Sequence, residues 1–154
     1  MKIRIITVGK NKIPFLIEGE KNYLNRLKRY CPVDICSTKS SSSKISPGET
    51  MKEEAERITA MNMDGAFVVA VDREGKDLNT IELSHKIQIW QNQGIQDLVF
   101  LIGSAWGLDQ TIIQRADFVL SLSRLTFQHD MVRLILLEQL YRCFTIIRGE
   151  NYHK

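Results

Sequence analysis

A ten-residue stretch, SLSRLTFQHD at 121–130, concentrates reactive side chains between an apolar strand-like run and a long helical pattern. Ser121, Ser123 and Thr126 contribute hydroxyls, and Arg124 contributes a cation. Phe127 adds an aromatic ring and His129 an imidazole. A turn from a strand into a helix normally needs only a short polar segment with a cap. The additional functional groups therefore predict a ligand site at the end of this strand.

Four side chains near the C-terminus are candidates for acid–base chemistry or for holding a nucleobase. His129 directly follows the loop, and imidazole exchanges a proton near neutral pH. Arg133 lies four residues later on the same helix face, where it can bind phosphate or stabilise an anion. Tyr152 and His153 pair a ring with an imidazole, which suggests stacking and hydrogen bonding to a base. A helix cap at His129 and simple packing of the terminal pair are the alternatives that these residues leave open.

A glycine turn, LIGSAWG at 101–107, is a second candidate for ligand contact. Gly103 and Gly107 allow a close approach to the backbone and a positive φ. The spacing matches neither GxGxxG nor GxxxxGK[ST], so a dinucleotide fingerprint and a P-loop are disfavoured. An ordinary glycine turn explains the pattern equally well when it is taken alone.

Strand and helix patterns alternate along the chain, which predicts one α/β domain over residues 1–154. The predicted strands are 2–9, 33–38, 66–72, 97–103 and 117–122, and the predicted helices are 13–30, 49–61, Asn79 to Gly94, 111–115 and 131–148. Continuous apolar runs such as AFVVAVD and DLVFLIG are typical of strands covered on both faces. We therefore predict a sandwich around a largely parallel sheet of five to six strands. Ligands of such sheets lie at the carboxyl ends of the strands, so the loops after Val71, Ile102 and Leu122 should form the site.

Composition narrows the class of protein without naming a function. The 154 residues are 44% hydrophobic and 25% charged, as in ordinary soluble domains. No apolar run approaches the roughly 20 residues needed to span a bilayer, and no signal-peptide pattern is visible. A cytoplasmic protein without a membrane partner is therefore expected. Three cysteines without CxxC spacing argue against a disulfide framework or a zinc site. The net charge of +3 is compatible with a polyanionic partner but does not require one.

Two surface features suggest partners. The helix at 131–148 is apolar around most of its circumference, which predicts a homodimer through this helix, unless one subunit encloses it. Six basic residues near the N-terminus can contact phosphates or form a solvated face: Lys10, Lys12, Lys21, Arg26, Lys28 and Arg29.

The segment 37–50, rich in serine, predicts a mobile surface loop.

Taken together, five segments resemble the ribosomal RNA large subunit methyltransferase H family of the SPOUT class. They are VVAVDREGK at 68–76, LIGSAWGL at 101–108, SLSRLTFQHDMVR at 121–133, LLEQLYRCFTII at 136–147 and the terminal YHK. The resemblance covers nearly the whole chain and includes the VGK that ends the first strand. It implies S-adenosylmethionine as methyl donor, a C-terminal trefoil knot and a homodimer. It also implies N3-methylation of a pseudouridine, position 1915 of 23S rRNA, in the assembled 70S ribosome.

Carried over position by position, the resemblance places the cofactor pocket at eight residues: Val71, Gly103, Leu122, Ser123, Arg124, Leu125, Thr126 and Phe127. It leaves His129, Arg133, Tyr152 and His153 as the candidates for chemistry at the substrate, and it implies no metal. The chain departs from the family pattern at Ser104, Trp106, Gln128 and Asn151. At Gln128, relatives usually have proline. Two other functions stay open from the residues alone: a nucleotide-binding α/β domain without catalysis, and a ribosome-associated RNA-binding factor.

Overall fold

The computed structural model describes residues 1–41 and 46–153, and the elements follow the predicted order. The strands are β1 (Lys2–Val8), β2 (Val33–Thr38), β3 (Phe67–Asp77), β4 (Asp97–Ile102) and β5 (Phe118–Ser121). The helices are α1 (Pro14–Leu27), α2 (Pro47–Thr59), α3 (Thr80–Asn92), α4 (Gln110–Arg115) and α5 (His129–Ile147). Of the predicted loop at 37–50, residues 42–45 lie outside the described part of the chain.

The five strands form one all-parallel sheet in the order β2-β1-β4-β3-β5, as predicted in type and number. Alternate residues of β4 point to opposite faces: Phe100 packs with α3 and α5, whereas Val99 and Leu101 pack with α2 and α4. Helices therefore cover both faces, which explains why this strand is apolar throughout. β5 lies beyond β3, so the chain from β4 through α4 must cross over β3.

The largest difference from the sequence prediction is the length of β3, which was expected to end at residue 72. Leu120 of β5 pairs with both Val71 and Lys76, so residues 72–75 leave the ladder and the strand then resumes. A side chain at Gly75 would lie 2.7 Å from the carbonyl carbon of Leu120, so only glycine fits this approach of two backbones. The excursion places residues 72–74 beside the loop that follows β5.

Helix starts are fixed by local hydrogen bonds that sequence can indicate. The predicted capping box of α3 is present: the Asn79 side chain accepts from the Glu82 amide at 2.9 Å, and the Glu82 carboxylate accepts from the Asn79 amide at 2.8 Å. A second box, between Ser46 and Glu49, starts α2 at Pro47, two residues before the predicted start. The hydrogen bonds within this box lower the pKa of Glu49.

Helix α5 packs against the sheet between α1 and α3, and this one subunit covers most of its apolar surface. Leu136, Leu140, Cys143 and Phe144 are all buried there. The alternative considered for this helix, enclosure within one subunit, therefore accounts for most of its hydrophobicity. The homodimer stays a prediction that needs its own test. In the described residues, no helix is long and apolar enough to cross a membrane.

The three thiols give a prediction about the packing of this core. Burial raises the pKa of Cys31 to about 11 and that of Cys143 to about 12, whereas Cys36 is half-buried on β2. We expect a disulfide reagent at neutral pH to modify Cys36 in the folded protein, and the other two only after denaturation, because the thiolate is the reacting form. Absorbance of the released thiol measures this, and the Cys36→Ser variant is the control. Rapid modification of all three thiols would contradict the packing described here.

Candidate functional site

The carboxyl ends of β3, β4 and β5 converge on one cleft of about 850 Å³, where the strand-end rule predicted a site. Three loops line it, at 71–74, 102–108 and 122–129. Of the eight residues predicted to bind the cofactor, seven contribute to its walls: Val71, Gly103, Leu122, Ser123, Leu125, Thr126 and Phe127. The volume falls within the range of about 300–1,000 Å³ that is usual for small-molecule sites.

The loop after β5 is ordered by its own hydroxyl groups. The Ser123 hydroxyl accepts from the amide of Leu125 at 2.9 Å, and the Ser121 hydroxyl donates to the carbonyl of Ser123 at 3.2 Å. In the part of the chain that the structure describes, residues 123–127 make no backbone–backbone hydrogen bond. The hydroxyl groups engage the Leu125 amide and the Ser123 carbonyl, and the other amide and carbonyl groups of this segment remain available for a ligand. Leucine and phenylalanine side chains wall the same cleft.

The glycine turn after β4 is held more tightly than the sequence indicated. Ser104 and Gly107 form an isolated antiparallel bridge, and Gly107 has a φ of 88°. A side chain at Gly103 would overlap the Gly107 carbonyl and lie 2.7 Å from the amide nitrogen of Leu108. Gly103 was predicted to allow a ligand to approach the backbone closely. The structure shows that the space beside Gly103 is filled by the backbone of Gly107 and Leu108 in the same turn.

Arg124 is the predicted cofactor residue that does not line the cleft. Its side chain is 90% exposed, and its Nε lies 3.1 Å from the Asp77 carboxylate at the end of β3. An exposed ion pair of this kind contributes little stability, at most about 1 kcal/mol. The contact joins the loop after β5 to β3, while the neighbouring side chains face the cleft.

His129 is the first residue of α5, and its half-buried side chain lines the cleft. Its Nε2 lies 3.5 Å from an Asp130 carboxylate oxygen. The N-cap position belongs to Gln128, and no side chain caps the helix, so His129 is not a helix cap. Gln128 has a φ of −59°, close to the value of about −65° that proline imposes. The turn therefore keeps a backbone compatible with the proline expected there from the family pattern.

Arg133 was expected to act at the substrate, but the structure does not bring its side chain to the cleft. It is 2% exposed, and its Nη2 donates to the Gly9 carbonyl at 3.1 Å and to the Asp130 carboxylate at 3.2 Å. These bonds fix the end of β1 to the first turn of α5. Arg133 therefore positions the helix that carries His129.

Tyr152 and His153 also lie away from the cleft of their own subunit. The Tyr152 ring is 4.8 Å from that of Tyr141, and the Arg142 guanidinium lies over it at 4.7 Å. Tyr141 is twelve residues along α5 from His129, or about 18 Å at 1.5 Å per residue. A hydrogen bond with Tyr23 and burial raise the pKa of Tyr152 to about 12. The tail is thus docked on the C-terminal half of α5.

Sequence reasoning did not single out Asp72, which also lines the cleft, whereas Trp106 lies there within the glycine turn that was named as a candidate for ligand contact. The Asp72 carboxylate accepts from the Glu74 amide at 2.9 Å, so it closes the turn that leaves β3. The strand-end rule could have found it, because it directly follows Val71. No cluster of three or more potential metal ligands occurs among residues 1–41 and 46–153.

Comparison with known proteins identifies the family. A family model described as "Predicted SPOUT methyltransferase" matches residues 1–153. The "Ribosomal RNA large subunit methyltransferase H" proteins of Carboxydothermus hydrogenoformans and Desulfotalea psychrophila are each 43% identical to this chain over the full length of both proteins. The protein of Methanococcus maripaludis called "Putative ribosomal RNA large subunit methyltransferase H" is 39% identical, again over both full lengths.

Solved structures show the same fold at low sequence identity. A probable methylase family protein from Haemophilus influenzae aligns with a TM-score of 0.57 and 13% identity, over 99% of this chain and 70% of that one. The tRNA (m1G37) methyltransferase of Aquifex aeolicus aligns with a TM-score of 0.54 and 15% identity, over 92% and 70%. S-adenosylmethionine is the cofactor of SPOUT methyltransferases, and the cleft suits a ligand of that kind. The chain therefore belongs to the SPOUT methyltransferase family, within the ribosomal RNA large subunit methyltransferase H group.

Proposed function

We propose that this protein transfers a methyl group from S-adenosylmethionine to N3 of a pseudouridine of 23S rRNA in the assembled ribosome. The observation that carries the proposal is the cleft itself, where the backbone of residues 123–127, which makes no backbone–backbone hydrogen bond, lies beside His129. The names of full-length relatives at 43% identity supply the class of substrate. We further propose that the C-terminal part of this single domain forms the trefoil knot of its class, and the match to the SPOUT family model supports it.

The residues of the cleft fit the cofactor. A purine needs a few polar contacts to its edge and apolar contacts to its faces. The backbone groups of residues 123–127 other than the Ser123 carbonyl and the Leu125 amide can provide the polar contacts. Leu122, Leu125 and Phe127 can provide the apolar contacts. The sulfonium of S-adenosylmethionine supplies an already electrophilic methyl group. The protein's task is therefore to orient the acceptor nitrogen in line and to remove its proton.

His129 is the group best placed to take that proton. The acceptor is a ring N–H between two carbonyls, so its deprotonation leaves negative charge on the base. The imidazole lines the cleft, and Asp130 lies close enough to orient it. The start of α5 lies at the same cleft, and the free backbone amides of a helix start favour a negative charge nearby. The buried Arg133 keeps this helix start in place through Asp130 and Gly9.

The protein must recognise the acceptor base largely through the folded particle around it. Part of the predicted basic surface is engaged within the subunit: Arg29 pairs with Glu150 at 3.1 Å, and Arg26 lies over the rings of Tyr23 and Tyr141. The lysines at positions 10, 12, 21 and 28 are exposed and can contact phosphates. A modest basic surface fits a structured particle better than a free strand, which supports the 70S ribosome in the cytoplasm as the partner.

We also propose that the protein is a homodimer in which each tail completes the cleft of the partner subunit. Within one subunit, Tyr152 packs against the C-terminal half of α5, and His153 is half-buried beside it. The tail is therefore held in a defined place but is too far along α5 to reach its own cleft. A second subunit is the simplest way to bring an aromatic ring and an imidazole to the acceptor.

Mixed dimers test this arrangement. We would combine a subunit that carries His129→Ala with a subunit truncated after Glu150, each inactive as a homodimer. If the tail acts across the dimer, the mixed dimer contains one complete site, and we expect about half of the wild-type rate per dimer. If each tail served its own cleft, no complete site would form and the mixture would stay inactive. The two tags needed to isolate the mixed species also control for subunit exchange.

Transfer of labelled methyl to ribosomes tests the activity itself. The substrate would be 70S ribosomes lacking this modification, with protein-free 23S rRNA as the control. We expect label on one pseudouridine of 23S rRNA in the ribosome sample alone. Cofactor binding without label in either sample would contradict the proposal and favour a nucleotide-binding domain without this activity.

A further inference from the structure

Trp106 lies at the rim of the cleft with 59% of its surface exposed. The other tryptophan of the chain, Trp90, is 4% exposed and packs in the core against Phe67 and Phe118. An exposed tryptophan forgoes much of the stabilisation that burial gives to a large aromatic side chain. Because the ring lies at the mouth of the functional site, we expect a bound molecule to cover it.

The turn that carries Trp106 is built to present the ring. The amide of Gly107 donates to the Ser104 carbonyl at 3.0 Å, and the amide of Trp106 donates to the Ser104 hydroxyl at 3.4 Å. Behind it, Gly103 packs against the backbone of Gly107 with no space for a side chain. The backbone thus cannot readily move to bring the indole into the core. The ring is held at the mouth on a fixed support.

Two other side chains at the cleft define what can lie against the indole. Leu125 is 71% exposed on the loop after β5, and His129 stands at the start of α5. The mouth therefore combines a flat apolar face with a group that can exchange a proton. A single nucleobase out of its stack needs the same two things, a surface for its face and a polar group at its edge.

We propose that Trp106 is the stacking surface for the acceptor pyrimidine after that base has left its RNA stack. The stacked base directs its N3 edge into the cleft, towards His129 and the donor methyl. The inference rests on the proposed function, because it names the binding site for the base in the same cleft. Aromatic stacking tolerates different bases, so Trp106 would contribute affinity and orientation, while the choice of base comes from contacts to its edge.

Variants at position 106 separate this role from others. We expect Trp106→Leu to lower kcat/KM for ribosomes by roughly 5- to 150-fold, the range for one base stacked on an aromatic ring. Trp106→Phe should keep most of the rate, since a smaller ring still stacks. The Kd of S-adenosylmethionine, measured by calorimetry, should not change. Ile89→Ala, which removes an exposed apolar side chain of α3, is the control for general surface effects.

Three results would overturn the inference. Unchanged kcat/KM in Trp106→Leu would show that the ring does not hold the base. A parallel loss of cofactor affinity would make the ring part of the cofactor pocket, and a change in sedimentation would make it a subunit contact. An inactive wild type would contradict the proposed function instead. Stacking would then still be measured by fluorescence, because a saturating RNA stem-loop containing pseudouridine should quench the exposed Trp106 and leave the buried Trp90 unquenched.

Discussion

Gly103→Ala should weaken the binding of S-adenosylmethionine by roughly 5- to 150-fold, because the strain of an added methyl group in a packed turn, about 1–3 kcal/mol, would fall on the wall of the cleft. The new methyl group would overlap the Gly107 carbonyl and lie 2.7 Å from the Leu108 amide nitrogen. These are backbone atoms of a bridged turn, so they cannot rotate away as a flexible side chain would. The strands of the turn must separate, and the walls of the cleft must move with them.

Calorimetric titration measures this loss, and thermal unfolding checks that the variant is folded. Gly48→Ala is the matched control, because a side chain at Gly48 meets nothing within 4 Å in the first turn of α2. That change should leave cofactor binding intact and raise stability by up to about 1 kcal/mol. If a folded Gly103→Ala protein bound the cofactor normally, the turn would be more adaptable than this structure shows.

His129→Ala should lower the rate of methyl transfer by about 10²- to 10⁴-fold, the usual contribution of a positioned general base. The folded state and the Kd of the cofactor should hardly change. The side chain is half-buried, caps no helix, and has Asp130 as its nearest charged neighbour at 3.5 Å. A loss confined to the chemical step would therefore assign the proton transfer to this imidazole.

Single-turnover rates with saturating ribosomes and cofactor isolate that step. His85→Ala provides the matched control, because His85 is exposed on α3, outside the cleft. Methyl transfer at the wild-type rate in His129→Ala would exclude His129 as the general base. The remaining candidates would then be Asp72, which follows Val71 in the cleft, and, in the proposed dimer, His153 of the partner subunit.

The order of the elements was predictable from the sequence because local physical causes fix it. The apolar run of β4 reflects helices on both sheet faces, and the box of Asn79 and Glu82 satisfies free amides at the start of α3. The cleft was predictable as well, since the loops after parallel strands meet at one edge. The individual cofactor residues came from the resemblance of whole segments to one family, which spacing alone did not supply.

Tertiary structure decided the features that depend on contacts far apart in sequence. Arg133 shares a helix with His129, yet its bond to Gly9, 124 positions away, buries it outside the cleft. Arg124 pairs with Asp77 because β3 resumes at Lys76 after residues 72–75 have left the ladder. The spacing of apolar residues in the sequence does not reveal this interruption. Tyr152 docks where the fold brings Tyr23 of α1 beside Tyr141 of α5. The sequence by itself determined which segments become strands, helices and site loops, whereas the direction of each side chain depended on what the folded chain packs beside it.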